Sequence, residues 1–146
     1  MSDPRWAVDT SVAVPLLVRT HPAHQGAVAW TRGKELCLSG HAAAETYSVL
    51  TRLPAGIRAT GAQAAQVIDA AFAQVLTLPP ALAGAIHREL AECGISGGAV
   101  YDALVGLAAR EHRIPLATRD ARARGTYGLL GVPVLVVADS AETGRG

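Results

Sequence analysis

Short apolar runs that stop abruptly, each followed by a helical stretch, recur along this chain, and that rhythm leaves few folds open. The first run, Trp6-Ala7-Val8, suits a strand covered on both faces, because nothing polar interrupts it. It stops at Asp9. Thr10 and Ser11 are helix N-cap residues, and the run Val12 to Val18 is apolar, so a helix is expected from Ser11 to about Arg19. Pro15 falls in or just past its first turn, where a missing N–H costs least. Thr20-His21-Pro22 ends it, and a second helix is expected from Ala23 to Arg32, stopped by Gly33. Glu35 to Ser39 reads as a strand, Ala42 to Leu53 as a helix halted by Pro54, and Thr60 as the cap of an Ala-rich helix from Ala62 to Ala73. Val75 to Leu78 is a third strand, and Ala81 to Cys93 is a helix with Gly94 at its end. Ala99 to Arg113 is the best-defined helix. Ile114 to Thr118 is a strand, Arg122 to Leu130 a short helix and Val132 to Val137 the last strand, leaving Asp139 to Gly146 as an expected flexible tail.

Strands alternating with helices imply the α/β class, with a parallel sheet between two helical layers. A chain of 146 residues is one domain by length. With no internal repeat and no dividing linker, residues 1–138 are expected to form it. A net charge of +1 provides no global basic field. Only Lys34 among the 13 basic residues is a lysine, and the abundance of Ala and Gly ascribes that skew chiefly to codon bias rather than to phosphate recognition. Cys37 and Cys93 form neither a close-spaced metal pattern nor a disulfide framework, which fits a reducing cytoplasm. No signal-peptide core follows Arg5, and no apolar run approaches the roughly 18 residues of a membrane span.

Most of the 12 acidic residues have bland explanations: chain ends, or helix faces shared with arginines. Asp9, Glu45, Asp102 and Asp120 do not. Asp9 lies where a strand hands over to a helix, the edge at which open parallel sheets bind ligands, although it is equally placed to cap that helix. Asp102 is the sole charge between Ala99 and Ala109. Val100, Leu104 and Leu107 form one apolar stripe, and Val105, Gly106 and Ala109 flank Asp102 on the other, so this helix is expected to be buried on two sides. A buried carboxylate there needs a cation, a set of donors or open water. Asp120 follows the fourth strand as Asp9 follows the first. Glu45 sits among Ala42, Ala44 and Val49 on the helix after the second strand, where a solvated glutamate is the simpler reading. All four are expected at one sheet edge. Two unit charges about 4 Å apart repel by about 4 kcal/mol at an effective dielectric of about 20. A hard divalent cation resolves that repulsion, and an all-oxygen set selects Mg²⁺ or Mn²⁺. The five histidines show no ligand spacing and read as surface or capping groups away from the acids.

Val8-Asp9-Thr10-Ser11, Ala44-Glu45-Thr46-Tyr47-Ser48-Val49-Leu50, Tyr101-Asp102-Ala103-Leu104 and Ala117-Thr118-Arg119-Asp120 follow one another in an order and spacing that resembles the PIN-domain ribonucleases, and within them the VapC-type toxins of toxin–antitoxin modules. The stretch Arg124 to Val132 extends the likeness, which covers nearly the whole chain. It implies a five-stranded parallel sheet of order 3-2-1-4-5, endonucleolytic cleavage of RNA dependent on Mg²⁺ or Mn²⁺, a homodimer, and a cognate VapB-type antitoxin that blocks the site. One departure is that Ala121, Arg122 and Ala123 follow Asp120, where some members carry a further acid.

On this resemblance Asp9 and Asp102 are the first choices as metal ligands, with Asp120 and Glu45 binding directly or through water. Ser11 and Thr118 are candidates to orient those ligands. Arg119, Arg122 and Arg124 could hold the RNA backbone, with a solvated basic turn an equally simple reading. The antitoxin is expected to cover the site and help bury the Ala62 to Ala73 helix, unless a second toxin subunit covers that helix instead. Two other acid-bearing parallel-sheet folds fail on the sequence. A response-regulator receiver needs an acid pair near the first strand and a lysine after the fifth, and a dehalogenase-type phosphatase needs an acid where Ser11 stands. The remaining rival is a catalytically idle PIN-like module that binds RNA or protein.

Overall fold

The computed structural model describes residues 2–138, so the expected tail from Asp139 to Gly146 lies outside the described residues. Five parallel strands, β1 (Arg5–Val8), β2 (Glu35–Ser39), β3 (Gln74–Leu76), β4 (Leu116–Thr118) and β5 (Val134–Val136), lie in the order β3-β2-β1-β4-β5, as the resemblance implied. Between β1 and β2 run α1 (Thr10–Leu17) and α2 (His24–Thr31), and between β2 and β3 run α3 (Ala42–Thr51) and α4 (Gly61–Ala71). Four helices, α5 (Pro80–Gly84), α6 (Ile86–Glu92), α7 (Ala99–Glu111) and α8 (Ala123–Leu129), complete the connections to β4 and β5.

Local chemistry accounts for where elements differ from expectation. The single helix expected over Ala81 to Cys93 is two. Gly84 is a weak helix former, and Ala85 leaves helical geometry (φ −114°, ψ 14°), its N–H turning to the Leu82 carbonyl at 3.0 Å. The fourth strand starts at Leu116 rather than Ile114. The Ile114 N–H is used at the end of α7, bonding Ala109 O at 3.1 Å across Arg113, which adopts φ +56°. Pro115 then has no N–H to donate, and only its carbonyl joins the sheet, accepting from Ala7 N at 2.9 Å. Pro133 shortens β5 in the same way, its carbonyl accepting from Leu116 N at 2.9 Å.

The register sets the strand ends level: Val8 lies opposite Leu38 on one side and Ala117 on the other. Asp9 and Thr118 therefore emerge together where β1 and β4 are adjacent. The chain leaves β1 toward β2 and β3, then returns to the other flank as β4 and β5. Such a reversal opens a crevice beyond the carboxyl ends of the strands. α1, α2, α3 and α4 pack against one another, and α7 packs on β2 and α8. α7 is buried on two sides as expected: Val105, Ala108 and Ala109 join the core around Val8, Leu38 and Leu116, whereas Ala103 and Leu107 join a smaller cluster with Leu90, Ile95 and Leu130. Its approach to the end of β2 is close. Ser39 Oγ donates to Val105 O at 2.7 Å, and a Cβ on Gly40 (φ +54°) would stand 2.8 Å from Leu104 O.

Candidate active site

Asp9 is both things its sequence position allowed. It is the N-cap of α1, with Oδ1 accepting from Ser11 N at 3.1 Å and Ser11 Oγ at 2.5 Å. It also lines a cleft of about 160 Å³ with Thr10, Ser11, Glu45, Asp102, Val105 and Asp120. The four acids singled out in the sequence thus face one cavity at the sheet edge. Ser11 and Thr118 brace it. Ser11 Oγ lies 3.2 Å from Thr118 Oγ1 and accepts from Arg119 N at 2.7 Å, while Thr118 Oγ1 accepts from Asp120 N at 3.1 Å. These bonds join the end of β1 to the end of β4 and fix the spacing of Asp9 from Asp120.

Pro15 contributes at a distance. It is the sixth residue of α1, further in than the sequence reading placed it. Without an N–H it leaves the Ser11 carbonyl lacking its usual helical donor, and Arg119 Nη1 lies 3.5 Å from that oxygen. Arg122 pairs with Asp120 through its N–H at 3.0 Å and its Nε at 3.4 Å, at an exposed position. Arg124 is exposed on α8, and its guanidinium makes no hydrogen bond or ion pair among the described residues.

Three neighbours of the acids were not singled out in the sequence. Tyr127, fully buried, donates from its hydroxyl to Asp9 Oδ2 at 2.8 Å. Burial, with Asp9 the next cause, pushes its phenol far above the ordinary value, so it stays a donor. Gly106 makes room for the ring: a Cβ there would stand 2.9 Å from Tyr127 Cδ1 and 2.7 Å from Leu130 Cδ1. A glycine in the middle of a helix was the available signal, but it does not say which side chain fills the space. Thr10, read as a cap, donates to Glu45 Oε2 at 2.9 Å. His41 corrects the reading of the histidines as remote from the acids: its Nε2 lies 3.6 Å from Glu45 Oε1, one helical turn apart. That i,i+4 relation is legible in the sequence.

The electrostatics follow from this crowding. The Asp102 carboxyl is raised above the ordinary aspartate value, first by burial and then by the charges of Asp9, Asp120 and Glu45, with Arg122 opposing. The other three acids thus oppose the ionisation of Asp102 more than Arg122 assists it. Four carboxylates with no thiol among them, of which only Asp120 and Glu45 have a basic neighbour among the described residues (Arg122 at 3.4 Å, His41 at 3.6 Å), are the donor set of a hard divalent ion, so the residues present fit Mg²⁺ or Mn²⁺. Among the described residues no three acidic, imidazole or thiol groups close around a point as they stand. Protein donors hold their oxygens instead: Ser11 and Tyr127 on Asp9, Thr10 on Glu45, Arg122 on Asp120.

The PIN-domain family profile matches residues 7–129. Ribonuclease VapC27 of Mycobacterium tuberculosis is 57% identical over 135 residues, spanning 92% of this chain and 98% of that protein. Ribonuclease VapC40 of the same organism is 44% identical over 133 residues, spanning 90% and 98%. Among solved structures, VapBC2 from Rickettsia felis bound to a promoter DNA fragment superposes with a TM-score of 0.63 at 12% identity, covering 92% of this chain and 99% of that one. FitAB bound to an IR36 DNA fragment gives 0.65 at 23%, covering 90% and 94%. At those identities the two structures speak for the fold alone.

Proposed function

Because the chain belongs to the PIN-domain family, and within it to the VapC group, we propose that it is an endoribonuclease that hydrolyses RNA phosphodiester bonds with Mg²⁺ or Mn²⁺, acting as the toxin of a toxin–antitoxin pair. The observation that carries the reading is the cleft in which Asp9, Glu45, Asp102 and Asp120 meet at the crevice of the parallel sheet. A divalent cation bound there supplies an activated water and neutralises charge building on the phosphate. The side chains of this chain do the rest. Asp9 and Asp102 would hold the ion directly, and Asp120 and Glu45 would hold it directly or through water. Ser11 and Thr10 hold the carboxylates of Asp9 and Glu45 by hydrogen bonds, and Thr118 holds the backbone of Asp120. Arg119, Arg122 and Arg124 steady the RNA backbone beside it.

The partner in this reading is a VapB-type antitoxin, supported by the solved relatives whose names pair a VapC or FitB chain with VapB or FitA. α4 offers it a surface: Ala64 and Ile68 face the core, while Val67 is 41% exposed. An antitoxin arginine entering the acidic cleft would gain charge-assisted hydrogen bonds and displace the cation. Homodimerisation and a cytoplasmic setting complete the proposal. No helix among the described residues is long and apolar enough to cross a membrane.

The test is cleavage of single-stranded RNA by purified protein, with and without EDTA, beside Asp102→Asn. Cleavage that requires the metal and is lost in the folded Asp102→Asn protein is expected. Full activity in that variant, or in EDTA, refutes the proposal. RNA that is bound and never cut points to the idle binding module.

A further inference from the structure

Beside the acidic cleft lies a second, larger recess of about 440 Å³, which shares Thr10 and Glu45 with it and runs along α3 past Ser48 to Arg52. The volume is of the order of small-ligand sites, and the recess is open to solvent rather than enclosed. His41 lines it at the start of α3, and its ring lies beside that of Tyr101, just outside the lining, with ring centroids 5.5 Å apart and planes tilted by 32°. Tyr101 precedes Asp102 on α7 and is 58% exposed, so much of its ring is open to a ligand. Arg52, just past the end of α3, stands at the outer end. It is exposed, and its guanidinium makes no hydrogen bond or ion pair with any described residue.

An aromatic ledge next to the acids, a recess leading away from it and an unpaired guanidinium at its far end match the parts of a single-stranded nucleotide: a base with a π-face and a phosphate. We infer that the His41–Tyr101 pair and the α3 recess form a subsite for an unpaired nucleotide flanking the cleaved bond, with the base stacked on the aromatic pair and a neighbouring phosphate on Arg52. The inference rests on the endoribonuclease reading for the position of the cleaved bond. A base paired and stacked in a duplex offers no free face to the ring, so the subsite takes an unpaired nucleotide.

Binding separates the subsite from the chemistry. A fluorescently labelled single-stranded oligoribonucleotide, titrated in EDTA so that it is not cut, reports affinity by anisotropy. Tyr101→Ala is expected to weaken binding roughly tenfold, the size of one lost base stack, with the salt dependence unchanged. Tyr101→Phe and Tyr101→Trp keep a π-face and are expected to bind as the unsubstituted protein does. Arg52→Gln should lower the slope of log affinity against log salt by about 0.7, as one lost phosphate contact does on a single strand. Equal affinity for Tyr101→Ala and the unsubstituted protein overturns the subsite, as does a Tyr101→Phe loss as large as that of Tyr101→Ala, or no binding of the probe at all. Should Tyr101→Ala lose affinity while the unsubstituted protein never cleaves RNA with metal present, the subsite stands and the endoribonuclease reading fails.

Discussion

Replacing Tyr127 by Phe removes one oxygen from the interior and nothing else. The ring keeps its place between Gly106 and the core, where the side chain is fully buried. What disappears is a 2.8 Å hydrogen bond to the carboxylate of Asp9, which is itself 6% exposed. A hydrogen bond to a charged group contributes about 1.5–3 kcal/mol net. Two effects favour the lower half of that range. Asp9 Oδ1 keeps both donors from Ser11, and the folded protein no longer has to desolvate a phenol hydroxyl. A loss of about 1.5–2 kcal/mol is expected, equivalent to a fall in Tm of roughly 3–8 °C for a domain of this size. Urea and thermal unfolding in EDTA measure it, and the urea m-value should not change, because the surface exposed on unfolding is nearly the same. The same substitution frees one oxygen of Asp9 to rotate, so Mn²⁺ affinity measured by calorimetry should fall by about tenfold. A Tyr127→Phe protein as stable as the parent and binding Mn²⁺ equally well would refute the reasoning: the bond would then contribute nothing to holding Asp9.

Asp102→Asn should stabilise the metal-free protein. The Asp102 carboxyl is raised from 3.8 in the fold, by burial first and by the other three acids next, so the native state holds its proton more tightly than the unfolded chain does. Native stability is therefore lost as the pH rises from the unfolded value through the raised folded one. The advantage of Asp102→Asn should open across that window and persist to neutral pH; thermal unfolding at a series of pH values in EDTA, with the variant less stable than the parent at neutral pH, would contradict this. Mn²⁺ at about 100 times its dissociation constant should add about 2.7 kcal/mol to the stability of the parent by mass action, and a melt unmoved by Mn²⁺ speaks against the cation site. Gly40→Ala should cost about 2–4 kcal/mol, since it combines a positive φ with a Cβ 2.8 Å from a backbone oxygen. Gly33→Ala, with a similar φ of +70° and open space around it, should cost only about 1–2 kcal/mol, and equal losses at the two positions in urea unfolding would show that the contact with α7 is unimportant.

The alternation of apolar runs with capped helices was enough to read the α/β class, because strand and helix patterns depend on residues a few positions apart. Asp9, Asp102 and Asp120 were recognisable for the same reason: each breaks a local pattern, a strand end or an apolar helix, that would otherwise run on. The sheet order came from the resemblance of the four acidic motifs to a family, not from the periodicity. Only the tertiary structure decided the support around those acids. The Tyr127 hydroxyl meets Asp9 across 118 residues of chain, and Ser11 meets Thr118 across 107. Neither pairing has a sequence period, because it exists only once β1 and β4 lie side by side. The double duty of Asp9 belongs to the same category. Its cap bond to Ser11 is local and could be foreseen, but whether its other oxygen turns to solvent or to a buried phenol depends on where α8 packs. Carboxylate identity is thus a property of the chain, whereas carboxylate orientation, and with it the chemistry the cleft can perform, depends on hydrogen bonds between segments that the fold brings together.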